Sequence, residues 1–326
     1  MEMREEEKTY DVVCVGQIVQ DIMITDIPKN ALTSENNTFK SDTLLFASGG
    51  DAVNEAVALS RLGSKTALMT RLDTGNVGNT LYHELEKEPL DLSYIVRKDD
   101  CLTLSTIVII MPDGEHVFLA GPGINYSPEL SDIDFSLFAR TKAVTAGSLF
   151  SLGPLDRGGI ANLFQAAKSS GALTVADMNN DVEHIGPRAL DCVYPYTDYL
   201  MPSLDEAVYV SEKTSPDEIA DFFLSRGVGN LVLKLGAEGC FFKNKAERFF
   251  MDPFQITPND TTGCGDNFVA GFLHMLLKGK SHKECARFAC GCGALNSQEL
   301  GGHSAVRSEA HVIEFMEKNS QISIRR

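Results

Sequence analysis

The feature of this sequence that most constrains its fold is the regular alternation of short apolar runs with stretches of helical periodicity. The first run, "YDVVCVG" (10–16), ends in glycine and is typical of a buried strand. The stretch 154–171 has helical spacing and ends in Gly171, where a helix C-cap belongs. Comparable apolar runs lie at 66–70, 142–147, 172–177, 198–202 and 230–236. This alternation predicts an α/β fold with a central, mainly parallel β-sheet flanked by helices.

Two segments, 18–48 and 101–121, interrupt the alternation because they lack helical periodicity. The second contains "TLSTIVIIMPDGEHVFLAG" (103–121), in which Pro-Asp-Gly separates two β-branched or apolar runs and predicts a hairpin. We expect the two segments to form a small β-sheet lid on an otherwise single domain spanning 1–326. The alternative is a pair of surface hairpins with no role in a site.

The C-terminal part of the chain is predicted to be helical and to contain a cluster of cysteines. Cys285 and Cys292 fall on the same helical stripe as Phe288, which indicates a buried face. We therefore interpret Cys285, Cys290 and Cys292 as core residues, since the four-ligand spacing of a zinc site is absent. The predicted helices span about 265–278, 282–296 and 308–319.

The charge balance limits the classes of partner. The chain has 29 basic and 45 acidic residues, a net charge of −16, which argues against a nucleic-acid-binding protein. No window reaches the length of apolar sequence that a transmembrane helix needs, so no membrane partner is expected. The charged start "MEMREEEKTY" lacks the apolar core of a signal peptide. We expect a cytoplasmic protein whose eight cysteines are reduced.

The stretch "NDTTGCGDNF" (259–268) leads directly into a predicted helix and carries the most specific chemistry. A helix N-terminus exposes backbone N–H groups and binds anions, and Gly263 and Gly265 would allow an oxyanion to approach closely. Asp266 would then lie beside the anion, where a carboxylate needs a hydroxyl to deprotonate or a cation to bind. An anion cradle next to a carboxylate is what phosphoryl transfer to an alcohol requires.

Two other phosphate-binding motifs are excluded. "HMLLKGKS" (274–281) ends like a Walker A loop, but His274 stands where the first glycine must be. The dinucleotide fingerprint also fails, because Phe268 occupies its third glycine position.

Two motifs together resemble one known family. "DTTGCGD" (260–266) resembles the D-T-x-G-A-G-D signature of the ribokinase-like (PfkB) carbohydrate kinases, with Cys264 in place of alanine. "GGDAVN" (49–54) resembles the other signature of that family, a glycine pair followed by asparagine. The resemblance extends over the chain from about residue 9 and implies a ribokinase-like fold with a β-sheet lid.

The resemblance also implies roles for individual residues. Asp266 matches the catalytic base, and the anion hole matches Gly263, Cys264 and Gly265. Substrate contacts are implied for Asp21, Gly49, Gly50 and Asn54. Nucleotide contacts are implied for Lys234, Gly236, Gly239 and Asn296. A metal-binding role is implied for Glu206 toward Mg²⁺, and a monovalent cation such as K⁺ is implied at Asp260, Thr262, Gly302 and Ser304.

The sequence departs from the family pattern at two positions. Ser203 replaces the asparagine of an N-x-x-E motif, although Glu206 is kept. Asp181 stands where members that take acidic or keto sugars carry arginine, which favours a neutral sugar. "GGDAVN" itself is most similar to the ketodeoxygluconate kinase branch, so the two observations conflict.

The sequence therefore predicts a kinase that uses ATP and Mg²⁺ to phosphorylate a hydroxyl group of a sugar. A nucleoside kinase of the same fold is the first alternative, and a non-catalytic sugar-binding sensor is the second. An exposed edge of the lid sheet is expected to pair with a second copy, which would give a homodimer.

Overall fold

The computed structural model of the protein describes residues 8–35, 38–112, 116–319 and 324–325. Across these residues a ten-stranded sheet forms the centre of the molecule, in the order β14-β13-β12-β11-β10-β9-β8-β1-β4-β5. Its strands are β1 (Tyr10–Val15), β4 (Thr66–Asp73), β5 (Ile95–Lys98), β8 (Thr141–Leu149), β9 (Leu173–Met178), β10 (Tyr199–Leu200), β11 (Asn230–Lys234), β12 (Cys240–Lys243), β13 (Arg248–Met251) and β14 (Ile324–Arg325).

The sheet is parallel from β5 to β11 and antiparallel from β11 to β14. The helices that cover it are α1 (Asp51–Leu62), α2 (Asn76–Leu85), α3 (Gly159–Ser169), α4 (Leu204–Ser211), α5 (Pro216–Leu224), α6 (Cys264–Leu277), α7 (His282–Asn296) and α8 (Glu309–Lys318).

Each face of the large sheet has its own apolar core. Helices α1, α6, α7 and α8 pack on one face, and α3, α4 and α5 pack on the other. Coverage on both faces explains why the parallel strands are mostly apolar rather than alternating between apolar and polar residues. The predicted α/β fold class is confirmed by this arrangement. The thiols of Cys285, Cys290 and Cys292 are buried in the first core, as the helical pattern predicted.

A second, four-stranded sheet has the order β3-β2-β6-β7. Strands β2 and β6 are parallel, whereas the two outer pairs are antiparallel. Pro112 of the predicted hairpin turn is described, but Asp113 and Gly114 lie outside the described residues. The strands are β2 (Val19–Ile24), β3 (Leu44–Gly49), β6 (Leu104–Ile110) and β7 (His116–Ala120).

The prediction of one helix over 154–171 is wrong at its start. Residues Gly153–Asp156 form a short 3-10 turn, and α3 begins only at Gly159. Gly158 separates them because it adopts the left-handed conformation, with φ of 95°, which an α-helix cannot include. Within the described ranges, no helix has both the length and the apolar character needed to cross a bilayer.

Candidate active site

The N-terminus of α6 lies at the carboxyl edge of the large sheet and begins at a left-handed glycine. Gly263 has φ of 69° and precedes the first helical residue. A Cβ at Gly263 would lie 1.9 Å from the carbonyl oxygen of Gly302, so only glycine fits between the two segments. The glycine thus fixes how closely α6 approaches the 301–304 segment.

The first turn of α6 presents backbone donors. The N–H of Cys264 donates to Thr261 O at 3.2 Å, and that of Asn267 donates to Gly263 O at 3.0 Å. Among the described residues, the N–H groups of Gly263, Gly265 and Asp266 have no backbone acceptor. Of the predicted anion hole, the N–H groups of Gly263 and Gly265 are therefore available to an anion, whereas the Cys264 N–H is already occupied, and the Asp266 N–H adds a donor that was not predicted.

Lys234, the last residue of β11, brings an ammonium group to the same place. A Cβ built on Gly265 would lie 3.0 Å from Lys234 Nζ, so the ammonium lies directly beside the helix N-terminus. Lys234 Nζ also donates to Asp177 Oδ2 at the end of β9. The positive end of α6 and a lysine would repel each other, and the carboxylates around them offset that repulsion.

The electrostatics of this edge are dominated by carboxyl groups around one lysine. Burial raises the pKa values of Asp51, Asp177, Glu206 and Asp266, and the Lys234 ammonium opposes that rise at each of them. Burial lowers the pKa of Lys234 itself, but Asp177 and Glu206 outweigh it and raise the pKa above the usual lysine value. The lysine therefore stays charged and holds the cluster together.

Asp266, in the first turn of α6, is buried and oriented by Asn54 of α1. Asn54 Nδ2 donates to Asp266 Oδ2 at 2.7 Å, while Asn54 Oδ1 lies 2.8 Å from His303 Nδ1. Burial raises the pKa of Asp266 well above its usual value, with a further contribution from Asp51, whereas the Asn54 hydrogen bond lowers it. The result is a carboxyl group whose basicity is increased and whose direction is fixed.

Asp21, on β2 of the small sheet, faces Gly49, the first glycine of the 49–54 motif. A Cβ at Gly49 would lie 2.0 Å from Asp21 Oδ2, and a Cβ at Gly50 would lie 2.7 Å from Gln17 O. Gly50 also has φ of 94°, so both glycines are required by space or by backbone conformation. Burial raises the pKa of Asp21 to about 7, with further contributions from Asp260 and Asp51.

Asp260 organises the loop that precedes α6. Its Oδ1 accepts hydrogen bonds from the Thr262 N–H at 2.9 Å and from Thr262 Oγ1 at 2.7 Å. Its Oδ2 accepts a hydrogen bond from the N–H of Gly301 at 2.9 Å. Ser304 Oγ donates to Leu300 O at 2.6 Å. The residues predicted to hold a monovalent cation are thus brought to one place, where Asp260 joins the 260–262 loop to the segment around Gly301.

Asn296, at the end of α7, is completely buried. Its Nδ2 donates to the carbonyl oxygens of Thr262, Gly301 and Gly302, so the amide binds the protein's own backbone. Because no atom of the Asn296 side chain is exposed, the side chain cannot make the contact with adenine that was predicted for it. This correction follows from a contact between distant loops that the sequence pattern does not show.

The predicted nucleotide segment forms the tight turn between β11 and β12. Gly236 has φ of 56° and an added Cβ would meet nothing within 4 Å, so this glycine faces open space. Gly239 has φ of 89°, and a Cβ there would lie 2.0 Å from Met251 O. Gly239 is thus required by the fold, and Gly236 leaves a backbone surface open next to Lys234.

A profile of the family described as "pfkB family carbohydrate kinase" matches residues 9–308. This range includes both signature motifs and all the site residues described above. The chain belongs to the pfkB family of carbohydrate kinases.

Individual relatives of this pfkB-family chain agree with the assignment. Ribokinase of Haemophilus influenzae is 26% identical over 292 residues, covering 87% of this chain and 92% of that protein. The probable fructokinase-2 of Arabidopsis thaliana is 26% identical over 321 residues, covering 94% and 95%. A putative ribokinase II from E. coli, solved in complex with ATP and Mg²⁺, has a TM-score of 0.82 at 20% identity, covering 95% and 99%. The structural likeness confirms the predicted ribokinase-like fold.

Hydrogen bonds with Ser203, at the start of α4, fix the position of Glu206. Its Oε2 accepts a hydrogen bond from the Ser203 N–H at 2.7 Å, and Ser203 Oγ accepts one from the Glu206 N–H at 3.4 Å. This capping box at the start of α4 accounts for serine at position 203. The S-x-x-E pattern is visible in the sequence and predicts such a cap.

Asp181, the other departure from the family pattern, stabilises the loop that follows it by hydrogen bonds. Its carboxylate accepts hydrogen bonds from the N–H groups of Ile185 at 2.9 Å and Gly186 at 2.8 Å, and from Tyr209 Oη at 2.7 Å. The carboxylate is therefore used structurally, and no positive side chain stands at this position to attract an acidic sugar.

Sequence reasoning named no role for three residues of the pfkB-family site. Asp177 ends an apolar run, and ligands often bind at the carboxyl ends of parallel strands, so its position was a usable signal. Asp51 lies inside the 49–54 motif and accepts a hydrogen bond from Ser148 Oγ at 2.5 Å. His303 contacts Asn54 across 249 residues of sequence, and no local pattern indicates that contact.

Proposed function

We propose that this pfkB-family protein transfers the γ-phosphoryl group of ATP to a hydroxyl group of a neutral sugar, with Asp266 as the general base. The observation that carries the proposal is the position of Asp266. Its oriented carboxylate lies in the same helical turn as the free N–H of Gly265 and beside the ammonium of Lys234. A base next to an anion-binding turn is the arrangement that phosphoryl transfer to an alcohol needs.

In the proposed mechanism, Asp266 accepts the proton of the sugar hydroxyl as its oxygen attacks the γ-phosphorus. The bond from that phosphorus to the bridging oxygen breaks, and ADP leaves. The N–H groups of Gly265 and Asp266 stabilise the charge on the transferring group, and Lys234 adds a fixed positive charge. The raised pKa of Asp266 favours transfer of the proton to its carboxylate. Lys234 and Asn54 oppose the rise in pKa and so favour the deprotonated form that can act as a base.

The sugar would lie between the small sheet and α1. Asp21 is placed to bind sugar hydroxyls, and its pKa of about 7 lets it accept or donate a hydrogen bond near neutral pH. Gly49 and Gly50 allow the sugar to approach the backbone, and Asn54 would orient it relative to Asp266. The small sheet would act as a lid that keeps water away from the phosphoryl group.

The nucleotide would lie along the Gly236–Gly239 turn, with its phosphates toward α6. The nearby donor set suits Mg²⁺, because Glu206 and Asp177 offer the carboxylate oxygens that this ion prefers. Among the described residues no three acidic, histidine or cysteine side chains form a metal cluster. One or two carboxylates together with substrate phosphates and water would therefore hold the ion. Mg²⁺ would supply charge neutralisation on the phosphates.

The decisive experiment is the Asp266→Asn substitution in an assay of ATP consumption. A panel should contain ribose, fructose and other neutral sugars, with adenosine, inosine and pseudouridine to identify a nucleoside kinase. We expect unchanged thermal stability and a loss of turnover of at least about 10²-fold. Asp205→Asn, in the exposed part of the first turn of α4, is the matched control and should behave like the wild type.

Retained turnover in Asp266→Asn would rule out its role as the base. Sugar-induced thermal stabilisation with no ATP consumption by the wild type would instead indicate a non-catalytic sensor.

We also propose that the outer face of the small sheet joins two copies of the chain. The paired residues Phe46, Ile107 and Leu119 are 56%, 37% and 43% exposed, and the next row adds Leu44 and Val117. A continuous apolar face of this kind marks an interaction surface. Light scattering should give the mass of a dimer for the wild type and of a monomer for Phe46→Glu.

A further inference from the structure

The place predicted to hold a monovalent cation is filled by a side chain of the protein. Asn296 Nδ2 donates to three backbone carbonyl oxygens, at 3.0 Å to Thr262, 3.3 Å to Gly301 and 3.4 Å to Gly302. We call these three carbonyls the carbonyl ring. The ring joins the loop before α6 to the 301–304 segment, so its charge distribution affects the position of Asp266.

Carbonyl oxygens that converge on one point create a negative potential. A K⁺ ion bound to backbone carbonyls satisfies that potential because the oxygens replace its hydration shell. Amide hydrogens, with their partial positive charge, can satisfy the same oxygens without an ion. At the carbonyl ring, the NH₂ group of Asn296 already donates to all three oxygens.

The orientation of the Asn296 amide is set by its surroundings. Asn296 Oδ1 accepts a hydrogen bond from the Ala305 N–H at 3.4 Å, while the opposite end of the amide faces the three carbonyl acceptors and the Cys264 thiol. A reversed amide would point its oxygen at the ring and its NH₂ group at the Ala305 N–H. The side chain is also fully buried, so water does not compete for either end.

Asp260 and Gly302, which were also predicted to bind the cation, accept hydrogen bonds from other groups of the protein. Both carboxylate oxygens of Asp260 accept N–H or O–H donors from Thr262 and Gly301. Gly302 O accepts a second hydrogen bond, from Asn267 Nδ2 at 2.8 Å. An ion entering this site would have to displace several of these donors.

We propose that the Asn296 amide takes the place of a monovalent cation, so that the protein assembles its active site without K⁺. The proposal rests on the proposed kinase function only where turnover is measured, since the carbonyl ring can be tested by stability alone. It predicts that removal of the amide converts the carbonyl ring into a cation site.

The test compares thermal unfolding of the wild type, Asn296→Ala and Asn296→Leu in KCl and in tetramethylammonium chloride at equal ionic strength. The wild type should have the same Tm in both salts. Asn296→Ala removes the donor that the three carbonyls share, although Gly302 O keeps its hydrogen bond from Asn267 Nδ2, and it leaves space for an ion. We expect its Tm to fall by more than about 5 °C in tetramethylammonium and to recover partly, and in a saturable manner, with K⁺.

Asn296→Leu is the matched control because its side chain fills the space and offers no donor. It should be destabilised with no specific response to K⁺. Asn296→Ser, a milder truncation, replaces Asn296→Ala if the latter does not fold. ATP consumption by the wild type should differ by less than about twofold between the two salts.

Two results would overturn the proposal. A saturable, K⁺-specific rise in Tm or turnover of the wild type would show that a cation binds with the amide in place. A destabilised Asn296→Ala or Asn296→Ser without any response to K⁺ would show that the carbonyl ring is not a cation site. Neither result depends on the role of Asp266, which the Asp266→Asn variant tests separately.

Discussion

Asn54 Nδ2 lies 2.7 Å from Asp266 Oδ2, across 212 residues of sequence. The other end of the same amide contacts His303 Nδ1, so Asn54 connects a buried histidine to the proposed base. Because the amide donates to Asp266, its oxygen faces His303 and needs a donor there. The Nδ1 of a neutral His303 must therefore carry the proton.

We predict that His303 affects the pH dependence of turnover through Asn54. Burial and, to a smaller extent, the guanidinium of Arg61 together lower the pKa of His303 to about 4, with Glu88 opposing them, so the ring is neutral at pH 7. Without its donor, Asn54 can rotate and Asp266 loses a hydrogen bond that favours the carboxylate. His303→Leu should move the acid limb of kcat/KM to higher pH and reduce kcat at pH 7 by roughly tenfold.

His303→Asn is the matched variant, because its amide can donate from nearly the same place as Nδ1. It should restore most of the wild-type pH profile. Equal profiles for the two variants would show that His303 contributes packing alone. Nitrogen NMR of the histidine ring reports its tautomer independently of turnover.

We predict that the ion pair between Lys234 and Asp177 stabilises the folded protein, because the lysine compensates the charge of buried carboxyl groups at the edge of the sheet. Lys234→Met leaves several buried carboxyl groups without a compensating charge, so it should lower the free energy of unfolding by roughly 3–5 kcal/mol. Asp177→Asn should cost less, since Glu206 still faces the lysine. Urea unfolding of both single variants and the double variant measures the coupling, expected at roughly 1–3 kcal/mol. If the effects of the two single variants on the free energy of unfolding add up strictly to the effect of the double variant, the coupling is contradicted.

We predict opposite consequences for alanine at the two glycines of the 263–265 turn. In Gly263→Ala the new methyl would overlap the Gly302 carbonyl in a left-handed backbone, so Tm should fall by more than about 5 °C. In Gly265→Ala the methyl meets only the end of the flexible Lys234 side chain, and alanine favours the helix. Its Tm should change by less than about 2 °C. Its turnover should still fall, because the ammonium is displaced.

Differential scanning fluorimetry and ATP consumption separate the two effects. Equal loss of Tm in the two variants would contradict the assignment of Gly263 as the residue required by space.

We predict that Asp21 makes the protein less stable as pH rises. Its pKa is about 7 in the folded protein, mainly because of burial, and about 3.9 in an unfolded chain. The folded state therefore holds a proton that the unfolded state releases between these values. The resulting contribution to stability is fully present below about pH 4 and is lost as pH rises through about 7.

Asp21→Asn removes this dependence. Relative to the wild type, the variant should gain more stability at pH 8 than at pH 5, by up to roughly 3 kcal/mol. Urea unfolding at the two pH values measures the difference, and a constant difference would show that Asp21 has an ordinary pKa when folded.

The parts of the fold that follow from local sequence were predictable. Buried parallel strands such as Tyr10–Val15 and Leu173–Met178 are mostly apolar, and the helix after Gly263 begins at a glycine-rich turn. The 260–266 and 49–54 motifs were also recognisable because each is contiguous. Their meeting through Asn54 and Asp266 fits the site that the motifs implied.

The remaining contacts of the site depend on which loops face each other at the edge of the sheet, and the sequence does not show this. Asn296 was assigned to the nucleotide because its place in the chain suggested it, yet its amide is directed toward three backbone carbonyls. The partner of Lys234 is likewise on another strand, Asp177. Such contacts are set by tertiary packing, and one sequence contains no periodic signal for them.

The segment 301–304 has a consequence for how the protein is made. It provides the N–H that binds Asp260, carbonyls that bind Asn296, and the imidazole that contacts Asn54. A ribosome synthesises this segment only after the strands and helices from Tyr10 to Asn296 have been translated. The surroundings of Asp266 are therefore completed only after residues 301–304 have been made, and a chain released before Leu300 would carry the carboxylate and Asn54 without the imidazole that contacts Asn54.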